Sequence, residues 1–154
     1  MTVRYLEDFA VGQAFGSGQL RIEKQRIETF AAECDPQPFH LDEQAERNTL
    51  FGGLEASGWH TAAVSMRLLA ESELKPAGGI IDAGFDELRW PRPIRPDDEL
   101  RVESEVLEVR SSQSRPNEGL LKRRMTTLNQ NGEAVQVAIG YLLVQRRPAG
   151  YPVE

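Results

Sequence analysis

Two stretches, AAECDPQPFH at residues 31–40 and FGGLEASGWHTAAVSMRLLA at residues 51–70, decide how this chain is read. In the second, Trp59, Ala62, Ala63, Met66, Leu69 and Ala70 recur at helical spacing. Val64 and Leu68 widen that stripe until it nearly wraps the helix, so a long helix buried on most sides is predicted. Ser57 is a suitable N-cap for it. In the first stretch an aspartate and a histidine, Asp35 and His40, are separated by a segment containing Pro36 and Pro38.

Working outward, EKQRIETFAAEC at residues 23–34 places Ile27, Phe30, Ala31 and Cys34 on one apolar helical stripe. This predicts that Cys34 lies in the core. Asp35 should end that helix, because a residue before proline avoids helical dihedrals. A second, short helix is expected in DEQAERNTLF, capped by Asp42. Residues 3–22 read as an irregular lead-in and a strand, with turn signals in FGSGQ.

After KPAGG the period changes. GIIDAGFDELRW, DELRVESEVLEV, GLLKRRMTTLNQ and EAVQVAIGYLLVQ read as strands. The last alternates at Val135, Val137, Ile139, Tyr141 and Leu143, and Asn131-Gly132 marks a hairpin before it. Helices first and an antiparallel sheet second make an α+β protein. A sheet with one buried face needs a cover, and the long helix is the best candidate. The residues alone therefore predict a sheet wrapped around one central helix, in a single domain spanning residues 1–154.

Composition narrows the function. A net charge of −6 argues against a general nucleic-acid binder, although an anionic ligand could still sit in a locally basic patch. The single cysteine permits no internal disulfide. MTVRYLEDFAVGQ lacks the apolar core of a signal peptide, and no apolar run approaches the roughly 18 residues that span a bilayer. A cytoplasmic protein without membrane association is expected.

Asp35 and His40 are the candidate catalytic residues. Pro36 and Pro38 each fix φ near roughly −65°, which reduces the freedom of the segment between them. A proton-transfer pair needs geometry that holds against a substrate, and a stiff turn lowers the entropy cost of holding it. The ordinary pKa values of the two groups differ by roughly 2.5 pH units, so near neutrality one is ionised while the other exchanges a proton readily. The plainer reading stands beside this one: Asp-Pro ends many helices, and a histidine is often structural.

The segment FAAECDPQPFHLDEQAERNTLFGGLEASGWHTAAVSMRLL resembles the signature of MaoC-like dehydratases and (R)-specific enoyl-CoA hydratases through Asp35, Pro38, Phe39, His40, Asp42, Phe51 and Gly58. LRWPRPIRPDDEL at residues 88–100 resembles the family's proline-rich segment between strands, and the likeness runs from about Tyr5 to Val144. The resemblance implies the hot-dog fold, an antiparallel sheet around a central helix. It implies reversible hydration of a trans-2-enoyl-CoA to an (R)-3-hydroxyacyl-CoA, with Asp35 and His40 binding and activating water.

Gly58, and Ser57 before it, are then the substrate-binding candidates. A backbone N–H at the helix start can stabilise the negative charge that develops on the thioester oxygen. The acyl-CoA enters as substrate, and no cofactor or metal is implied. A homodimer or a dimer of dimers is implied as well. Two departures bear on geometry and substrate: Gln37 stands where the family usually has asparagine, and Ser57 where it often has histidine.

Other residues receive plainer readings. His60, in the first helical turn, is expected to be a neutral histidine hydrogen-bonded in the core, because the helix dipole disfavours its charged form. Trp59 reads as packing or pocket wall. Arg89, Arg92 and Arg95 suit phosphate binding, but structural pairing is the expectation. Two competing functions remain. A hot-dog thioesterase would use Glu55 as its carboxylate, and a non-catalytic acyl-thioester binder would need no acid–base pair.

Overall fold

The computed structural model of the chain describes residues 3–41 and 53–150. A 3-10 turn at Leu6–Asp8 leads into β1 (Ala14–Gly16) and β2 (Leu20–Arg21). Helices α1 (Lys24–Cys34), α2 (Pro38–Leu41) and α3 (Gly58–Ala70) follow. The rest is strand: β3 (Ile81–Arg89), β4 (Glu99–Ser111), β5 (Glu118–Leu128) and β6 (Ala134–Gln145). All strand pairs are antiparallel, in the order β1-β4-β5-β6-β3, with β2 also paired to β4. The sheet packs on α3 in the α+β, hot-dog arrangement that the sequence predicts. The short helix expected within residues 42–51 lies outside the described residues, as do the motif positions Asp42 and Phe51. No helix of the described residues is long and apolar enough to cross a membrane.

The core lies between α3 and the concave face of the sheet. Leu69, Leu100, Leu121, Val135, Ala138 and Leu142 are fully enclosed there. The turn between β5 and β6 is where Asn131-Gly132 places it. Gly132 takes a φ of 74°, a value few other residues adopt without strain.

Three expectations need correction. First, the core face of β6 is not the run Val135, Val137, Ile139, Tyr141, Leu143. Val135 and Gln136 are both buried, and from there Ala138, Gly140, Leu142 and Val144 face inward. The cause is a bulge: Thr127 pairs with Gln136 but Leu128 pairs with Ala134, so Val135 is an extra residue. One inserted residue moves every later side chain to the opposite face.

Second, α3 is not buried on most sides. His60, Thr61, Ser65, Leu68 and Leu69 are its buried residues, whereas Trp59 is 60% exposed and Ala63 and Ala70 are exposed too. The small hydroxyl residues let the helix approach the sheet, where Ser65 Oγ and Thr127 Oγ1 stand 2.6 Å apart. Third, Cys34 is exposed rather than in the core. Only Ile27 and Ala31 of its stripe are buried, so the side of α1 that meets the body is centred on those two residues and Cys34 lies outside it.

Leu69 is wholly enclosed, so Leu69→Ala leaves a cavity as well as losing burial. Urea unfolding is expected to give a loss of about 3 kcal/mol, within the ~2–5 kcal/mol usual for such a truncation. A loss below about 1 kcal/mol would contradict this description of the core.

Candidate active site

Local backbone chemistry brings Asp35 and His40 together. Asp35 caps the C-terminus of α1, where its N–H donates to Ala31 O at 2.8 Å. Its dihedrals, φ −152° and ψ 66°, leave the helical region ahead of Pro36, as the sequence predicts. The chain then turns tightly. Gln37 N–H donates to Asp35 O at 2.7 Å, and His40 N–H donates to Gln37 O at 3.0 Å. Pro38 opens α2, a position that suits proline. One turn of helix carries the His40 ring back, and its Nε2 lies 3.3 Å from Asp35 Oδ2.

Both groups are anchored from behind. His40 is buried, and its Nδ1 lies 2.8 Å from the backbone carbonyl of Glu55. A carbonyl only accepts, so Nδ1 carries the hydrogen and Nε2 is left to exchange a proton with what lies in front of it. The Asp35 carboxylate accepts from two side chains: Gln37 Nε2–H donates to Oδ1, and Ser57 Oγ–H donates to Oδ2 at 2.7 Å. The Gln37 hydrogen bond is the main force holding the Asp35 pKa below the ordinary carboxylate value. Ser57 and the His40 charge add to it, against a partial desolvation that acts the other way. Gln37, the departure from the family pattern, thus acts directly on Asp35.

Ser57 joins this pair to α3. Its hydroxyl accepts from Trp59 N–H at 3.3 Å as the N-cap and donates to Asp35. One hydroxyl can do both. Gly58 opens α3 and lines a cleft of about 350 Å³ together with His40, Glu55, Thr61, Trp90 and Pro93. A Cβ on Gly58 would lie 2.8 Å from the Trp90 indole. Close approach to this backbone is therefore made by Trp90, a cleft residue that periodicity did not single out.

The remaining candidates fall as follows. His60 is buried, and desolvation, with the Arg26 charge second, holds its pKa below the ordinary value, in line with a neutral ring, but its Nδ1 has no hydrogen-bond partner among the described residues, unlike the hydrogen-bonded histidine expected. Trp59 packs edge-to-face on Trp90 but stays largely exposed. Arg89 pairs with Glu87, Arg92 with Glu133, and Arg95 donates to the backbone of Gly53 and Leu54. Pairing is thus the observed role of all three arginines, although Arg92 also lines the cleft. Among the described residues, no group of three histidine, cysteine or acidic side chains is placed to hold a metal ion.

The arrangement is an ionised carboxylate and an imidazole converging at the start of the central helix, beside an open cleft. With that geometry in view, likeness to known proteins is informative. Residues 8–127 match the family of MaoC like domains. A MaoC-like dehydratase structure from Rhodospirillum rubrum is 55% identical, with a TM-score of 0.91 over 94% of this chain and 99% of that one. The (R)-hydratase PhaJ1 structure from Pseudomonas aeruginosa is 27% identical, with a TM-score of 0.68 over 97% of this chain and 94% of that one. The uncharacterized protein YdeM of Bacillus subtilis is 35% identical over 140 residues, which is 90% of this chain and 96% of YdeM.

Removing either donor to Asp35 should raise its pKa, since each stabilises the ionised form. Carboxyl titration by NMR is expected to place Asp35 higher in Gln37→Leu than in wild type. The rise in Ser57→Ala should be smaller, because Gln37 contributes more. An unmoved Asp35 in Gln37→Leu would mean that the amide is not bonded to it in solution.

Proposed function

This chain belongs to the family of MaoC-like domains, and from that premise we propose that it reversibly hydrates a trans-2-enoyl-CoA to an (R)-3-hydroxyacyl-CoA. The observation that carries this reading is the meeting of Asp35 Oδ2 and His40 Nε2 at 3.3 Å beside the cleft. A water about 2.8 Å from each atom fits at the apex of a triangle on that base, so both groups can hold it without parting. Family membership and the likeness to an (R)-hydratase support lyase chemistry in general.

The pair acts on one face of the alkene. One O–H bond of the water breaks as its oxygen joins the β-carbon, and Asp35 or His40 takes the proton. A proton passes from the pair to the α-carbon, so the site ends each cycle as it began. During the addition the thioester oxygen gains negative charge. The Gly58 N–H, in the first turn of α3, has no acceptor within the helix and is our candidate donor to that oxygen. Ser57, the other substrate-binding candidate, donates to Asp35. Glu55 lines the same cleft, so thioester hydrolysis is the reading to test alongside.

We also assign the protein a homodimeric state and a cytoplasmic location. β3 ends the sheet with its outer edge unpaired among the described residues, and Ile81 and Phe85 on it are each 48% exposed. The exposed side of α3 carries the apolar Trp59 and Ala63 at its N-terminal end. A long free edge invites pairing, and a second copy of this chain offers the matching edge.

With crotonyl-CoA, the enoyl absorbance should fall without release of free thiol. Thiol release would turn the reading toward a thioesterase. Asp35→Asn and His40→Ala are each expected to lower the hydration rate roughly 10²–10⁴-fold with an unchanged circular dichroism spectrum. Full activity in either variant removes that residue from the mechanism. Sedimentation should find a dimer of the wild type and a monomer of Phe85→Asp. A wild-type monomer at micromolar concentration would refute the edge pairing.

A further inference from the structure

A second cleft, of about 330 Å³, lies between β2, α1 and α3. It shares no residue with the cleft beside Asp35 and His40. Along the seam of α1 and α3, the stacked rings of Phe30 and His60, with centroids 4.7 Å apart, stand between it and that pair. Whatever it holds is therefore held apart from the reacting groups. Two kinds of lining meet in it. Leu20, Ile22, Ala63 and Val64 are apolar, whereas Arg21, Arg26 and Arg67 are cationic and face the single carboxylate of Glu23.

The cationic part is open to a partner. Arg21 pairs with Asp97 and Arg67 with Glu71, both as exposed pairs of the kind that contribute little. Arg26 has no side-chain hydrogen bond or ion pair among the described residues, and it stands near enough to His60 for its charge to act there. Arg26 lies in the first turn of α1, and the start of that helix borders the cleft. Its N-cap, Glu23, makes no side-chain capping bond, and its first turn holds no acidic residue. The first N–H groups of a helix have no partner inside it and carry the positive end of its dipole, so an anion is their natural complement. His60 closes the cleft from α3. It is only 7% exposed, and its Nδ1 is buried without a partner. Buried polar side chains are nearly always bonded, so an unbonded ring in a cleft wall points to an occupant.

We propose that this cleft binds a small amphipathic carboxylate, one ionised head on a hydrocarbon body, at a site separate from that of Asp35 and His40. The head sits at the start of α1, where the Arg26 guanidinium meets it through paired N–H donors, the geometry arginine supplies best. The neutral His60 ring carries one N–H and adds it from α3. The body lies along Ile22, Ala63 and Val64 and takes their apolar surface out of water. The occupant thereby bridges α1 and α3, the two helix ends that the hydrogen bond from Ser57 to Asp35 also joins.

Amide NMR titrations with hexanoate, hexan-1-ol and acetate test this without turnover. Hexanoate carries body and head, hexan-1-ol the body alone, and acetate the head alone. Hexanoate is expected to shift the amides of Arg26 and Val64 and to bind about tenfold more tightly than either of the others, because a hydrogen bond to a charged group and the burial of a short chain each contribute on that order. Arg26→Met, a change at an exposed position, should bring hexanoate to the affinity of hexan-1-ol. Arg26→Lys, which keeps the charge but not the paired donors, should fall between. Equal binding of hexanoate and hexan-1-ol overturns the proposal, because the head is then not read. Equal binding of hexanoate and acetate overturns it as well, because the apolar lining then plays no part. So do shifts confined to Gly58 and Trp90, which place the acid in the other cleft. A protein that hydrates no enoyl-CoA but prefers hexanoate in this way keeps the site, since the cleft stands apart from Asp35 and His40.

Discussion

The contact between Ser65 and Thr127 fixes the rotation of the central helix, and much of the molecule follows from that rotation. The two hydroxyl oxygens lie 2.6 Å apart between α3 and β5. Ser65 also donates to Thr61 O, so the pair is satisfied although buried. Small hydroxyl side chains let helix and sheet come close, and Leu68 and Leu69 complete the seal one turn later. Turning α3 to favour its apolar stripe would put Trp59 against the sheet, where bulky aromatic volume replaces a close fit.

That rotation delivers the N-terminus of α3 to Asp35. The Ser57 hydroxyl caps the helix and holds Oδ2 of the carboxylate, so one side chain ties the scaffold to Asp35. Behind His40, the Glu55 carbonyl fixes the ring, and the stretch from Gly53 to Ala56 is itself fastened by Arg95 and by Ile94 O. The proton transfer proposed for Asp35 and His40 requires that their neighbours be fixed as well. Here backbone carbonyls and short polar side chains do so, together with two prolines in the connecting turn.

The same rotation leaves two surfaces unfilled by the described residues. On one, the apolar residues of α3 and the free edge of β3 stay exposed, which a second copy of the chain would cover. On the other, His60 faces α1 instead of the sheet and becomes the floor of an arginine-lined cleft.

The sequence by itself determined a good deal. Period changes separated helices from strands, Asn131-Gly132 marked the last hairpin, Asp-Pro ended α1, and the Asp35-to-His40 signature pointed to the family and its fold. Each of these depends on neighbours close in the chain, so local dihedral preferences and spacing suffice. Only the tertiary structure decided which face of α3 meets the sheet, that Cys34 points outward, and that Val135 is an extra residue that flips the rest of β6. It alone revealed that Gln37 and Ser57 hold Asp35, that Trp90 covers Gly58, and that Arg26 and His60 share a cleft. The reason is physical: a face is core or surface only in relation to what packs on it. Those partners, Thr127 for Ser65 and Phe30 for His60 among them, lie far away along the chain.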